Sequence, residues 1–382
     1  MQVWPLTGIP EIVAGDDLAG ALAEAIAATV GSVRDGDVLV VSSKVVSKAA
    51  GLRADVAQRA ALVLRESDRV VAERTTATGI TRIVAASAGP VLAGAGIDAS
   101  NIGPGDEHVL LLPKDPDAAA HSLLLGVAAA LEGRGGSNPV ARPTRWGVLI
   151  TDTAGRPWRL GQADISIGAA GVPVVDDLRD GVDADGRALG VTVRAVADEL
   201  AGAADLVKGK ADRVPAALVR GWRWPAAPPE ATGAIGADGL VRRGWSDWFA
   251  LGHVEAVRAA LGVPPGTHDA LDVGVRSVAP EPMDVRAQRA CRLALTDGLG
   301  RIPVGHPRAH LAGVRPDLLG ARCDLVQYGI VAEAPDEFTL GVLVGRLLPA
   351  LAAEDVPTAY ARTEPPAPGR GPRAVLVFTD VG

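Results

Sequence analysis

The stretch GVLITDTAGRPWRLGQADISIG, residues 147–168, runs from an apolar segment into a carboxylate that stands between two threonines. Residues 146–150 predict a buried strand, so we expect Asp152 and Thr153 at its C-terminal end. Carboxylates are rarely buried without a partner. A carboxylate with hydroxyls beside it suits a divalent metal that bridges phosphate oxygens. An aspartate that caps a strand-to-loop turn is the alternative.

Three more stretches place polar side chains where predicted strands or helices end. AGIDASN (95–101) carries Asp98 behind a run of small residues, through which a backbone can approach a ligand. SSKVVSK (42–48) offers hydroxyls and lysines that suit phosphate. VKGK (207–210) likewise offers lysines that suit phosphate, after a predicted helix. The alternative is an Asx turn or cap for 95–101 and a solvated turn for 42–48. For 207–210 it is that the lysines complement a helix dipole.

The rest of the chain mixes predicted helices and strands. Asp16 or Asp17 caps a helix that Gly31 ends, and Asp115 caps one that stops before Gly133. Residues 190–209 read as a strand that feeds a helix, and a further helix is predicted over 247–262. Apolar runs predict strands at 35–41, 108–113, 214–221 and 374–380.

Length and composition narrow the function classes. A chain of 382 residues is too long for one ordinary core, so two domains are expected. A net charge of −7 argues against a general nucleic-acid binder. Neither a membrane span nor a secretion signal is predicted, so a cytoplasmic location is expected. Two cysteines without CxxC spacing predict neither a zinc site nor a disulfide framework.

The domain boundary is expected in a segment rich in proline, alanine and glycine that follows Gly221. We therefore predict one domain over 1–243 and a C-terminal segment over 244–382. Signatures of common nucleotide and hydrolase sites, such as a Walker A loop or GxSxG, do not occur in the sequence.

Seven stretches in the same order resemble the coenzyme F420-0:L-glutamate ligase family, and they cover roughly residues 4–221. They are GIPEIVAGDDLA, DGDVLVVSSKVVSKAAG, AGIDASNIGPG, LLPKDPDAAA, GVLITDTAGRPWRLGQADISIGAAG, GRALGVTVRAVADELAGAADLVKGK and VPAALVRG. The resemblance implies an α+β, two-lobed ligase fold with a small additional C-terminal α/β segment, assembled as a homodimer. It also implies a GTP-driven reaction that joins L-glutamate to the lactyl carboxylate of a deazaflavin coenzyme precursor through an acyl phosphate.

The resemblance also implies roles for individual residues. Asp98 and Asp152 match ligands of a divalent metal, magnesium or manganese, and act in catalysis through it, with Thr153 beside a second metal. Ten positions match residues that contact GTP: Gly8, Ile9, Pro10, Glu11, Ser43, Lys48, Asn101, Lys208, Gly209 and Lys210.

The C-terminal part departs from the pattern of two-domain relatives. SDWFALGHVEAVRAA (246–260) resembles the junction in actinobacterial ligases whose second domain is nitroreductase-like and binds flavin. The remaining segment is short and lacks the expected cluster of arginines and a serine, so bound FMN is not expected. We interpret it as a reduced nitroreductase-like domain or an unrelated module.

Two other functions stay open at this point. One is a flavin-binding reductase that acts through the C-terminal segment. The other is a nucleotide-binding regulator without catalysis, because AASAGP (85–90) lacks charged residues and a histidine that many relatives carry there.

Overall fold

The structure is a computed structural model that describes residues 1–100, 107–133, 145–179, 181–209, 212–224, 236–296, 318 and 320–379. Within these ranges the strands are β1 (Gln2–Pro5), β2 (Val38–Ser42), β3 (Arg53–Asp55), β4 (Ser67–Thr76), β5 (Gly79–Ala86), β6 (Val91–Ala93), β7 (His108–Leu110), β8 (Gly147–Arg156), β9 (Arg159–Ala170), β10 (Asp176–Asp177), β11 (Val193–Arg194), β12 (Ala216–Arg220), β13 (Arg322–Val326), β14 (Gly329–Glu333), β15 (Thr358–Glu364) and β16 (Arg373–Phe378). The helices are α1 (Leu18–Val30), α2 (Ser43–Ala49), α3 (Arg59–Arg65), α4 (Pro116–Glu132), α5 (Val196–Asp205), α6 (His253–Ala260), α7 (His268–Val273), α8 (Met283–Leu295) and α9 (Glu337–Ala353).

This mixture of helices with parallel and antiparallel strands confirms the predicted α+β class. The chain forms two compact units, one of residues 1–69 with 84–247 and the other of residues 70–83 with 248–382. The second unit therefore includes a piece of the β4–β5 hairpin that comes early in the chain. The two-lobed family arrangement and the division at 243/244 stay predictions. No described helix is both long and apolar enough to span a membrane.

A five-stranded sheet in the order β1-β12-β2-β8-β9 forms the centre of the first unit. Strands β2 and β8 run parallel, and the other neighbouring pairs are antiparallel. Alternation along the strands divides their side chains between two apolar cores. Leu39 and Ile150 pack on the side of α1 and α4, while Val40 and Leu149 pack on the side of α5. Helices thus cover both faces of this sheet.

Helices α1 and α4 begin and end at the predicted residues. The Asp17 side chain accepts a hydrogen bond from the Gly20 N–H, and α1 ends at Gly31 with a φ of 80°. Asp115 caps α4 in the same way, with Pro116 at the first helical position. These local signals confirm the predicted bounds of both helices.

Four predicted bounds are wrong. Strand β8 does not end near Ile150 but continues to Arg156, because its second half pairs with β9 in a hairpin. Residues 43–49, expected as a strand end or turn, form α2. Helix α5 ends at Asp205 rather than near Gly209. The helix predicted over 247–262 is reduced to α6, from His253 to Ala260.

The second unit has its own antiparallel sheet, in the order β13-β14-β16-β15, with a core shared by α8 and α9. Charged side chains are also buried in it. Arg82 donates to Glu73, and Glu255 accepts hydrogen bonds from the Glu73 N–H and from Arg74. Residues 70–83 are therefore joined to α6 by paired charges as well as by packing.

One buried ion pair joins the turn before β2 to the end of the neighbouring strand β12. Asp37, which is fully buried in the turn before β2, accepts two hydrogen bonds of 2.7 Å from Arg220 at the end of β12. Its carboxylate also accepts the Arg34 N–H at 2.8 Å. The charge is thus fully paired, as burial requires.

We expect Asp37→Asn to lower the free energy of unfolding by about 3 kcal/mol or more, because it leaves the Arg220 charge buried without a counter-ion. The matched control is Asp177→Asn, since Asp177 binds Arg179 in a similar two-oxygen geometry on the exposed surface. Urea unfolding of both variants measures the difference. Equal, small effects would show that the Asp37 pair does not hold the sheet edge.

Candidate functional site

The parallel register of β2 and β8 brings two predicted residues together. Ser42 lies opposite Thr151 in this register. The next residues in the two strands are Ser43, the first residue of α2, and Asp152. The Ser43 hydroxyl donates a hydrogen bond of 3.4 Å to Asp152 Oδ1. The two residues therefore meet although they are 109 positions apart.

A second carboxylate lies across the β8–β9 ladder. Asp164 is opposite Thr153, and the hydroxyls of Thr151 and Thr153 each donate to it at 2.8 Å. Lys208 Nζ lies 2.7 Å from Asp164 Oδ2 and donates to the Thr151 hydroxyl at 2.8 Å. Since alternate residues of a strand face opposite sides, the Thr153 hydroxyl faces away from the Asp152 carboxylate.

A tight turn brings the third carboxylate to the site. Residues 94–96 all have a positive φ, between 57° and 68°, and Asp98 then pairs with Leu110 in an isolated bridge. A Cβ added at Gly96 would lie 3.1 Å from Asp152 Oδ2 and 2.5 Å from a Leu112 methyl carbon. Glycine is required at this position by the backbone conformation and by the close approach to Asp152. The turn thus keeps open a small space next to the Asp152 carboxylate.

Lys44 of α2 holds Asp98 in place. Lys44 Nζ lies 2.7 Å from Asp98 Oδ2, and it donates to the Ser100 carbonyl and hydroxyl at 3.0 and 2.7 Å. The Ser100 N–H donates to Asp98 Oδ1 at 2.7 Å. Burial raises the pKa of Asp98, but the hydrogen bonds from Lys44 and Ser100 outweigh it, and the pKa is lowered.

Asp152 is the carboxylate without a cation of its own. Burial raises its pKa to about 6, the negative charges of Asp164 and Asp98 add to the shift, and hydrogen bonds from the Thr153 N–H and Ser43 only partly offset it. Burial acts on Asp164 too, but the charge and hydrogen bond of Lys208 outweigh it and lower its pKa. Among the described residues no lysine or arginine pairs with Asp152.

This arrangement fits a divalent cation. Hard cations such as magnesium and manganese prefer carboxylate oxygens, and the Asp98 and Asp152 carboxylates lie near each other beside α2. No cation among the described residues neutralises the negative charge at Asp152. Asp98 and Asp152 would hold the ion there, whereas the Thr153 hydroxyl is directed to Asp164.

The predicted GTP contacts lie partly in one place. Glu11 follows Gly8, Ile9 and Pro10 in the loop after β1, and its carboxylate pairs with Lys48 in the last turn of α2. Lys48 is only 5% exposed, so it is held in a defined position rather than in a solvated turn.

Two of the other predicted GTP contacts lie on a different side of the central sheet. Lys208 lies on the α5 side of the sheet with Asp164, and Gly209 follows it in the loop that leads to β12. The predictions for Asn101 and Lys210 lie outside the described residues.

Two residues of this constellation were not predicted. Asp164 was missed because β8 was expected to end before the hairpin. The signal for this pairing is that polar residues stand two positions apart on both sides of the intervening turn. Thr151 and Thr153 precede the turn, and Asp164 and Ser166 follow it. Lys44 belongs to a stretch that we interpreted as phosphate-binding, but its pairing with Asp98 depends on α2.

The raised pKa of Asp152 predicts that this carboxylate destabilises the metal-free fold at neutral pH. The folded-state pKa of about 6 lies above the ordinary aspartate value of 3.8, so the unfolding free energy falls as pH rises between these values. Asp152→Asn should therefore raise the unfolding free energy by about 1–3 kcal/mol at about pH 7.5, and by almost nothing at about pH 4.

Asp164→Asn is the matched comparison. The pKa of Asp164 is lowered in the folded state, so its charge stabilises the fold at neutral pH, and the substitution should lower the unfolding free energy by about 3 kcal/mol. Denaturant unfolding in the presence of a chelator measures both variants. If Asp152→Asn were as destabilising as Asp164→Asn, Asp152 would be a structural charge.

Comparison with known proteins identifies the family of this chain. The family model described as F420-0:Gamma-glutamyl ligase matches residues 8–221, a range that includes every predicted site residue. A coenzyme F420:L-glutamate ligase of Natronomonas pharaonis is 38% identical over 248 residues, which cover 58% of this chain and 87% of the relative. Those of Halorubrum lacusprofundi and Haloarcula marismortui are both 37% identical, over 250 and 246 residues, with 59% and 58% of this chain and 88% and 87% of the relatives covered. The chain therefore belongs to the F420-0:gamma-glutamyl ligase family.

Proposed function

We propose that this protein is a GTP- and divalent-metal-dependent ligase that adds L-glutamate to the lactyl carboxylate of the deazaflavin coenzyme F420 precursor. The names of its relatives support the joining of glutamate to coenzyme F420. The observation that carries the metal-dependent chemistry is Asp152, a mostly buried carboxylate that is influenced by the charges of Asp98 and Asp164 and pairs with no cation among the described residues.

The reaction needs two displacement steps. A carboxylate oxygen of the precursor attacks the γ-phosphorus of GTP, GDP leaves, and an acyl phosphate forms. The amine of glutamate then attacks the acyl carbon, phosphate leaves with the electron pair of its bridging oxygen, and the amine loses a proton. Both steps require that charge on phosphate is neutralised and that the reacting groups are held in line.

Different residues of this chain meet these two requirements. Asp98 and Asp152 would hold magnesium or manganese, which neutralises phosphate charge when it is bound. Lys48, held by Glu11, offers an ammonium to the phosphates from α2. Lys208 keeps Asp164 ionised and Thr151 in place beneath the site, which fixes the strand that carries Asp152.

A homodimer is part of the proposal, and light scattering of the purified chain measures it.

Asp152→Asn should reduce the ligation rate at least about a hundredfold, which corresponds to about 3 kcal/mol in the barrier, because the amide binds a divalent cation weakly. The measurement is the mass-spectrometric formation of the glutamylated coenzyme against metal concentration. Asp177→Asn removes an exposed carboxylate of the same unit and should leave the rate unchanged. A near-normal rate with ordinary metal dependence in Asp152→Asn would exclude its metal role.

Lys48→Ala should weaken GTP binding about tenfold to a hundredfold, since a charge-assisted contact with phosphate contributes about 1.5–3 kcal/mol. Lys114→Ala is the control, because Lys114 is an exposed lysine that precedes α4. Calorimetric titration with GTP measures both. Unchanged affinity in Lys48→Ala would leave the residue with only a structural role, as the partner of Glu11. GTP binding without any ligation by the unmodified protein would favour the regulator.

A further inference from the structure

A small cavity of about 230 Å³ lies in the first unit, along the strand that pairs with β8. Residues 165–167 of β9 form one wall, and Ile165 is opposite Asp152 in the β8–β9 ladder. Asp198 of α5 and residues of the segment 237–247 complete it. Sites for drug-sized ligands are usually about 300–1,000 Å³, so this cavity suits a smaller molecule than GTP or a deazaflavin.

The wall that comes from the segment 237–247 is firmly attached. Asp117 of α4 accepts hydrogen bonds from the N–H groups of Ala237 and Asp238 at 2.7 and 3.1 Å, and from the Ala169 N–H of β9 at 2.7 Å. One carboxylate thus joins the segment to the sheet. The segment lies beyond residue 221, where the family match ends.

Most charges around the cavity are already paired. Asp238 binds Arg243 through two hydrogen bonds of 2.8 and 2.5 Å. Asp247 lies 2.7 Å from Arg69. These two pairs leave no net charge, so they do not select a ligand by its charge.

Two cavity residues of opposite charge differ from these pairs. Asp198 Oδ1 accepts the Ser166 N–H at 2.9 Å, and no cation among the described residues pairs with that carboxylate. Arg242 is exposed, and within the described part of the chain it has no ion pair or hydrogen bond. One cavity therefore presents an unpaired carboxylate and an unpaired guanidinium, which complement an ammonium and a carboxylate of the ligand.

We infer that this cavity binds L-glutamate, with its ammonium at Asp198 and a carboxylate at Arg242. The inference rests on the proposed function and names the site for the amine substrate. Ile165 in the wall of this cavity is opposite Asp152 in the β8–β9 ladder, so β9 separates the cavity from the strand that carries Asp152. Asp198 and Arg242 are positioning residues, which hold the amine without taking part in bond changes.

The test compares Asp198→Asn and Arg242→Gln with the unmodified protein in steady-state ligation. Asp198→Asn keeps an oxygen for the Ser166 N–H, and Arg242 is exposed, so both variants should retain the fold, which their melting temperatures check. Each should raise KM for L-glutamate about tenfold or more, because it removes one charge-assisted contact, and leave KM for GTP unchanged. Glu199→Gln is the control, since Glu199 neighbours Asp198 on α5 but does not line this cavity.

Glutarate separates the two contacts, because it has both carboxylates of glutamate and no amine. Its inhibition constant should rise in Arg242→Gln and should not rise in Asp198→Asn. Unchanged KM for glutamate in both variants would overturn the inference while the ligase function stands. If the unmodified protein does not ligate glutamate, the proposed function fails, and calorimetry with L-glutamate then decides. Binding that is lost in Asp198→Asn supports the site, and no binding overturns it.

Discussion

The parallel pairing of β2 with β8 is the constraint on which the site depends. Both strands run toward the same edge of the sheet, but they end differently: β2 turns into α2 at Ser43, while β8 continues into its hairpin with β9. Asp152 is therefore the first residue of β8 without a β2 neighbour. Its carboxylate meets the start of α2 and the turn at Gly96 instead of another strand. A polar site forms here because the main chain of one strand has turned away.

Charge is distributed unevenly over the two faces of this strand. Lys208 neutralises Asp164 on the α5 face, and Lys44 neutralises Asp98 beside α2. Within the described residues Asp152 receives hydrogen bonds from neutral donors and pairs with no cation, so its desolvation is not compensated. An uncompensated charge lowers the stability of the free protein, and such charges are characteristic of sites that bind a counter-ion. Among the three carboxylates of the candidate site, these ion pairs confine the imbalance to Asp152.

Local signals in the sequence were enough for the elements that surround the site. Capping residues and apolar periodicity gave α1 and α4, and apolar runs gave β2 and β12. Features that depend on tertiary pairing were not accessible in this way. The polar second half of β8 is a strand only because β9 pairs with it, and α2 is short and begins within a run of strand-forming residues. The Asp98 and Asp152 roles came from family resemblance, whereas their proximity is a finding of the structure.

The segment 237–247 shows why the end of a family match is not the end of a folded unit. Gly236 has a φ of 82°, and an added Cβ there would lie 2.2 Å from an Asp117 oxygen, so only glycine lets the chain approach α4 this closely. The carboxylate that accepts this segment also accepts the Ala169 N–H of β9. The strand that pairs with β8 therefore has two supports, the ladder on one edge and Asp117 near its end. The segment 237–247 and β9 therefore share the Asp117 carboxylate, and β9 in turn pairs with the strand that carries Asp152.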